Sequence, residues 1–201
     1  MFNPEKLIKD NPETWENVSI SEDKIEVITE KYLNKDFGDV YKLKSENQNL
    51  KVINDYLVKS EKINPYMRTN SYQCQAIDDI IESVTSILDD FKLKETIIVY
   101  RGCKEDIYNA MLKSAKDKGF GQDYLFDSSF ISTSLIEKEA FSSENGFEGN
   151  VMLRILLPKD SRAFYVGNLI GEFKRHEVLL TRNSKFRIVS KDEKYINCIL
   201  E

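Results

Sequence analysis

An α+β fold is the prediction for this chain, and three observations carry it. Apolar residues recur at helical spacing through most of the first half, β-branched runs dominate the second half, and the succession is not that of alternating βαβ units. With 201 residues, only eight Gly and four Pro, and no low-complexity stretch to mark a linker, a single domain is expected over 1–201. About 1–45 is expected as an N-terminal helical extension packed on the core.

Each element has its own signal. Ser19-x-x-Glu22 forms a capping box, and Ile25, Ile28 and Tyr32 follow on one face, so a helix is expected near 20–35. Leu50, Ile53 and Leu57 repeat the spacing over Asn49 to Lys59. The strongest stripe is Ile77, Ile80, Ile81, Val84, Ile87 and Leu88 after Ser71, with Asp78, Asp79 and Glu82 complementing the helix dipole. The β-branched density of Thr96 to Tyr100 predicts a buried strand with Arg101 at its end. Ile107, Ala110, Met111 and Ala115 predict a helix over Asp106 to Lys118, capped by Gly119. Strands are expected at Asp127 to Leu135, at Val151 to Leu157 before Pro158, and at Arg162 to Val166, His176 to Thr181, Lys185 to Ser190 and Lys194 to Leu200. Turn-forming Ser142 to Gly149 and Gly167 to Arg175 read as functional loops, the second carrying Leu169, Ile170 and Phe173.

Composition removes several function classes. A net charge of −5 with dispersed basic residues leaves no footprint for nucleic acid. No run approaches the ~20 apolar residues of a membrane-spanning helix, and the start, Met1-Phe2-Asn3-Pro4-Glu5-Lys6, lacks an apolar leader core. No membrane partner is expected. Cys74, Cys103 and Cys198 are odd in number and without metal-ligand spacing, so they read as reduced thiols and no metal is expected. His176, the lone histidine, has no local partner for a Ser-His-Asp or Cys-His arrangement.

Three polar groups stand out against the strands: Arg101, the triplet Ser132-Thr133-Ser134, and Glu177. Alone, each has a plain explanation as a surface ion pair, an ordinary sheet triplet or a solvated strand-edge carboxylate. Together their order, spacing and strand context are specific. Tyr100-Arg101-Gly102, Phe130-Ile131-Ser132-Thr133-Ser134 and His176-Glu177-Val178-Leu179-Leu180 resemble the site of the mono-ADP-ribosyltransferases, in the bacterial exoenzyme branch described by Arg, Ser-Thr-Ser and Glu. The resemblance covers roughly Asn47 to the C-terminus.

That resemblance implies N-terminal helices on a mixed or antiparallel two-sheet β core, and transfer of ADP-ribose from NAD to a target protein with release of nicotinamide. It implies that Glu177, Ser132 and Arg175 occupy catalytic positions, with Ser132 holding Glu177. It implies that Arg101, Gly102, Ser132, Thr133 and Phe141 bind NAD, with Phe141 against nicotinamide. The residue types suit that chemistry. A carboxylate stabilises the positive charge that develops on the ribose, and guanidinium offers a planar fork of donors to pyrophosphate. The implied partners are NAD and a protein acceptor such as a host GTPase or cytoskeletal protein, reached by secretion or delivery into a host cytosol.

The chain also departs from the family pattern. Arginine-modifying members carry Glu two residues before the catalytic Glu and asparagine-modifying members carry Gln; here Arg175 stands there, which argues against arginine as the acceptor and leaves open an acidic or phosphate-bearing acceptor, or a different geometry in which Glu172 reaches in. The arginine expected after Tyr56-Leu57 is Val58, and none lies between Ser142 and Gly149, so Lys59 or Arg68 is the substitute expected for phosphate. Two alternatives follow: an NAD glycohydrolase using water as acceptor, and a non-catalytic interaction domain of the same fold.

Overall fold

The computed structural model describes residues 9–19, 48–69, 74–141, 149–167 and 176–201. The helix expected near 20–35, most of the 142–149 loop and the 168–175 loop with Arg175 lie outside these residues.

The helical stripe at 49–59 is the first half of a longer helix, α1 (Gln48–Thr69). Its apolar face does not stop at Lys59: Ile53, Tyr56, Ile63 and Tyr66 are all buried, and that continuing face carries the helix through Pro65. The stripe beginning at Ile77 becomes α2 (Gln75–Asp90), burying Ile81, Val84, Ile87 and Leu88. The third helix, α3 (Glu105–Asp117), ends at Gly119, whose φ of +76° is the left-handed value that favours glycine at a helix C-terminus.

Eight strands follow or intervene: β1 (Ile97–Cys103), β2 (Tyr124–Asp127), β3 (Ile131–Ser134), β4 (Val151–Leu157), β5 (Ala163–Gly167), β6 (Glu177–Leu180), β7 (Ser184–Lys191) and β8 (Ile196–Leu200). Their spatial order is β2-β7-β8-β4-β1-β3-β6-β5. Only β4 and β8 run parallel; every other neighbouring pair is antiparallel. The expected two-sheet core appears as two halves of this order. Five strands from β2 to β1 and three from β3 to β5 meet at one residue pair, Tyr100 opposite Ser134.

Two expectations about strands change. Arg101 is not at a strand end, because β1 continues through Gly102 and Cys103, paired along its length with β4. The segment Asp127 to Leu135 is two strands rather than one. The Asp127 carboxylate accepts from the Ser129 amide at 2.9 Å and its hydroxyl at 2.8 Å, a local turn that carries the chain from the β7 side to the β6 side. An apolar run on both sides of that turn conceals it from a periodicity reading.

Both faces of the larger half are covered. Ile97, Val99 and Cys103 of β1 face the α1 and α2 side with Leu153, Ile155 and Leu157. Ile98 and Tyr100 face the other side with Met152, Leu156 and Ile199, where a short 3-10 helix (Pro12–Val18) lays the fully buried Trp15 over them. Arg154 ties that helix down. Its guanidinium lies over Trp15 at 5.3 Å and Tyr195 at 5.0 Å, and donates to the Pro12 carbonyl at 2.6 Å and to Asn197 at 2.8 Å. Ser19 ends this helix and hydrogen-bonds the Tyr100 hydroxyl at 3.2 Å.

Candidate active site

β1 alternates between the two cores, and by that parity Arg101 falls on the α1 side, in line with Val99 and Cys103. It is the one position of β1 that is not fully buried. Its Nη1 donates to the Ser132 carbonyl of β3 at 2.6 Å, across the joint between the two halves of the sheet. Its Nε is buried without a hydrogen-bond partner among the described residues. A guanidinium held by one arm and still partly exposed suits an acceptor-rich anionic group such as pyrophosphate. Gly102 is buried beside it, opposite Met152 on β4.

The Ser-Thr-Ser triplet lies in β3 between β1 and β6. Thr133, fully buried, donates its hydroxyl to the Val178 carbonyl at 2.7 Å, supplementing the ladder and locking the register. That register places Ser132 opposite Leu179, Thr133 opposite Val178 and Ser134 opposite Glu177. The cross-strand neighbour of Glu177 is therefore the last residue of the triplet, while Ser132, the first, contributes its carbonyl to Arg101.

Glu177 opens β6 and is only 3% exposed, which sets it apart from a solvated strand-edge carboxylate. His176, immediately before it, has a φ of +40°, a left-handed value uncommon outside glycine. Phe141 ends a second 3-10 helix (Glu137–Phe141) and is exposed. Arg175 falls outside the described residues.

Sequence reasoning missed Tyr56. It projects from α1 with its ring edge-on to Phe130 at 5.0 Å, and its hydroxyl donates to Asn64 at 3.1 Å. Burial pushes that hydroxyl's pKa well up; the Glu177 carboxylate adds to the rise, while Arg101 and Arg68 oppose it. One tyrosine thus lies within electrostatic reach of the carboxylate and of both guanidiniums. Arg68 grips Asp127 with two bonds, Nε at 3.0 Å and Nη2 at 2.7 Å. Position 58, where a cation was sought, is exposed on the outside of α1; Arg68, ten residues along the same helix, is the cation that reaches the site's surroundings. Arg68 was expected from sequence as a substitute phosphate ligand, whereas Tyr56 carried no signal beyond its helical spacing. Among the described residues, no group of three His, Cys, Asp or Glu side chains is placed to hold a metal ion.

A helix-flanked mixed sheet carries an arginine, a hydroxyl triplet and a buried glutamate on three adjacent strands, and comparison with known proteins says which family has that architecture. The sequence profile of the ADP-ribosyltransferase exoenzyme family matches residues 19–198, and the chain belongs to that family. A curated relative, NAD(+)--arginine ADP-ribosyltransferase EFV of Enterococcus faecalis, is 32% identical over 137 residues, 66% of this chain. The chain spans about a quarter of that relative's length, 24%. Among solved structures, Plx2a, an ADP-ribosyltransferase toxin from Paenibacillus larvae, has a TM-score of 0.62 at 23% identity, covering 83% of this chain and 94% of that one. C3stau2 from S. aureus with NAD has a TM-score of 0.63 at 19% identity, covering 82% and 92%. Likenesses at this identity establish the fold.

Proposed function

We propose that this chain transfers ADP-ribose from NAD to a side chain of a target protein, releasing nicotinamide. The observation that carries the reading is the convergence of Arg101, Ser132 to Ser134 and Glu177 on the contiguous strands β1, β3 and β6, with Arg101 bonded directly to the triplet strand. NAD supplies the ADP-ribosyl group and a leaving group that departs neutral. The protein's part is to hold and to polarise. Arg101 anchors pyrophosphate through the partly exposed remainder of its guanidinium, with Gly102 letting the backbone approach; Thr133 keeps the triplet in register; Ser132, diagonal to Glu177 on the face it shares with Ser134, steadies Glu177; and Phe141 lies against nicotinamide. Glu177, buried where water screens it weakly, faces the positive charge that develops on the ribose. Under this reading residues 1–201 form one transferase domain, with about 1–45 as its helical extension, and the protein reaches a host cytosol by secretion or delivery.

Position 175, two residues before Glu177 in sequence, bears on the acceptor class. The enterococcal relative is named for arginine, which makes protein arginine the first acceptor to test, while the positive charge of Arg175 opposes an incoming guanidinium. A host GTPase or a cytoskeletal protein remains the proposed target. Wild-type and Glu177→Gln proteins, assayed for nicotinamide release in buffer, with agmatine, and with cell lysate plus labelled NAD, test the proposal. Loss of about 10²–10³ in turnover is expected for the isosteric variant, because only charge stabilisation is removed. Equal rates in the two proteins would refute the role of Glu177. Nicotinamide release without labelling would indicate a glycohydrolase.

A further inference from the structure

The 3-10 helix after the hydroxyl triplet carries a carboxylate that the site described above does not use. Glu139 presents its two oxygens to His176 Nδ1, at 2.8 and 2.9 Å, and its Oε2 also lies 3.2 Å from the Ser134 hydroxyl. Ser134 Oγ in turn accepts from the Ile136 amide at 3.0 Å, and the Leu135 amide donates to the His176 carbonyl at 3.1 Å. Both side chains of the pair are largely shielded, 15% and 12% exposed. Burial raises the Tyr165 hydroxyl's pKa and the charge of Glu139 raises it further, which brings β5, the other neighbour of β6, within reach of the same carboxylate. One side chain therefore links the end of β3, the start of β6 and the helix between them, with its charge felt on β5.

We infer that Glu139 is a positioning residue for Glu177, acting through His176. Three observations lead there. His176 is the residue immediately before Glu177, so its backbone angles set where the strand that carries the carboxylate begins. Its φ of +40° is a left-handed value that a β-carbon disfavours, so the conformation persists only where surrounding contacts hold it. The contacts that hold it among the described residues are the Glu139 carboxylate on its ring and the Leu135 amide on its carbonyl. Ser134, the cross-strand neighbour of Glu177, is tied to the same carboxylate, so both flanks of the Glu177 position share one restraint. Without that restraint His176 relaxes toward an ordinary conformation and Glu177 is displaced, and displacements of about an ångström in a reacting geometry carry large rate losses.

The inference rests on the transferase reading, and the experiment separates the two. Nicotinamide release from NAD is measured for wild type, Glu177→Gln, Glu139→Ala and Glu139→Gln at a temperature well below every variant's Tm, together with the imidazole NMR signal of His176, the chain's one histidine. Glu139→Ala is expected to lose kcat by on the order of tenfold to a hundredfold with KM for NAD within about twofold of wild type, because binding groups are left in place. Its His176 signal shifts. Glu139→Gln keeps an acceptor for the ring and the hydroxyl, and recovers most of the kcat lost in the alanine variant. A Glu139→Ala protein with wild-type kcat beside an inactive Glu177→Gln overturns the positioning role alone, as does a loss confined to Tm. A wild type no faster than Glu177→Gln overturns the transferase reading and this inference with it.

Discussion

Gly149 shows how little room the site's scaffold leaves. It lies where the chain returns toward β4, and a β-carbon there would run into the backbone carbonyl of Cys103, two residues past Arg101. The need is for space rather than for an unusual dihedral, and backbone cannot swing aside as a side-chain tip does. Gly149→Ala is expected to destabilise the fold by about 1–3 kcal/mol, the ordinary cost of overpacking. Chemical denaturation measures it, and an unchanged midpoint would show that this approach relaxes freely. Arg154 is the opposite case, a charge whose guanidinium is spent on two rings, a carbonyl and an amide rather than on function.

At the scale of elements, the junction of α1 with the β2–β3 corner is the least forgiving. Asp127 is almost wholly buried and is satisfied by Arg68 and by its own turn through Ser129. Arg68→Ala leaves that carboxylate buried without its cation, and a loss of about 3 kcal/mol is expected from an uncompensated buried charge. Thermal unfolding should show it as a lowered Tm. Replacing Asp127 by Asn as well should recover part of the loss, since the amide keeps an acceptor for Ser129 without a buried charge. A Tm unmoved by Arg68→Ala would free Arg68 for the phosphate role considered from sequence. The two-bond grip on Asp127 argues that its first duty is to hold α1 against the sheet, beside Tyr56.

For the whole molecule, the two cores decide what solvent can reach. Cys198 and Cys103 are buried among strands, and burial pushes the Cys198 thiol up to about 12 and raises that of Cys103 despite the opposing charge of Arg101. Both remain protonated at neutral pH, whereas Cys74 is only half-buried at the start of α2. A thiol reagent at pH 8 should therefore modify no more than Cys74 in the native protein and all three cysteines after denaturation. Rapid native modification of a second thiol would show that the sheet opens. No helix among the described residues is long and apolar enough to cross a membrane.

Periodicity alone determined the α+β class, the face α2 buries, the strand through Val99 and the cap at Gly119, because each is a local pattern that one segment satisfies by itself. Order, spacing and strand context, read through the resemblance to the exoenzyme family, pointed to Arg101, the hydroxyl triplet and Glu177. The extension of α1 beyond Lys59 and the break after Asp127 were not legible, because one depends on what a helix face meets and the other on a side chain turning back on its own backbone. The roles of Tyr56 and Glu139, and the pairing of Arg68 with Asp127, were not legible for a related reason. Their significance comes from partners on other elements, Tyr56 and Arg68 from the surroundings of Arg101 and Glu177, Glu139 from His176 thirty-seven residues on. Only the tertiary structure, by threading β3 between β1 and β6, decides that Ser134 rather than Ser132 stands opposite Glu177, because register belongs to a pair of strands and not to either one.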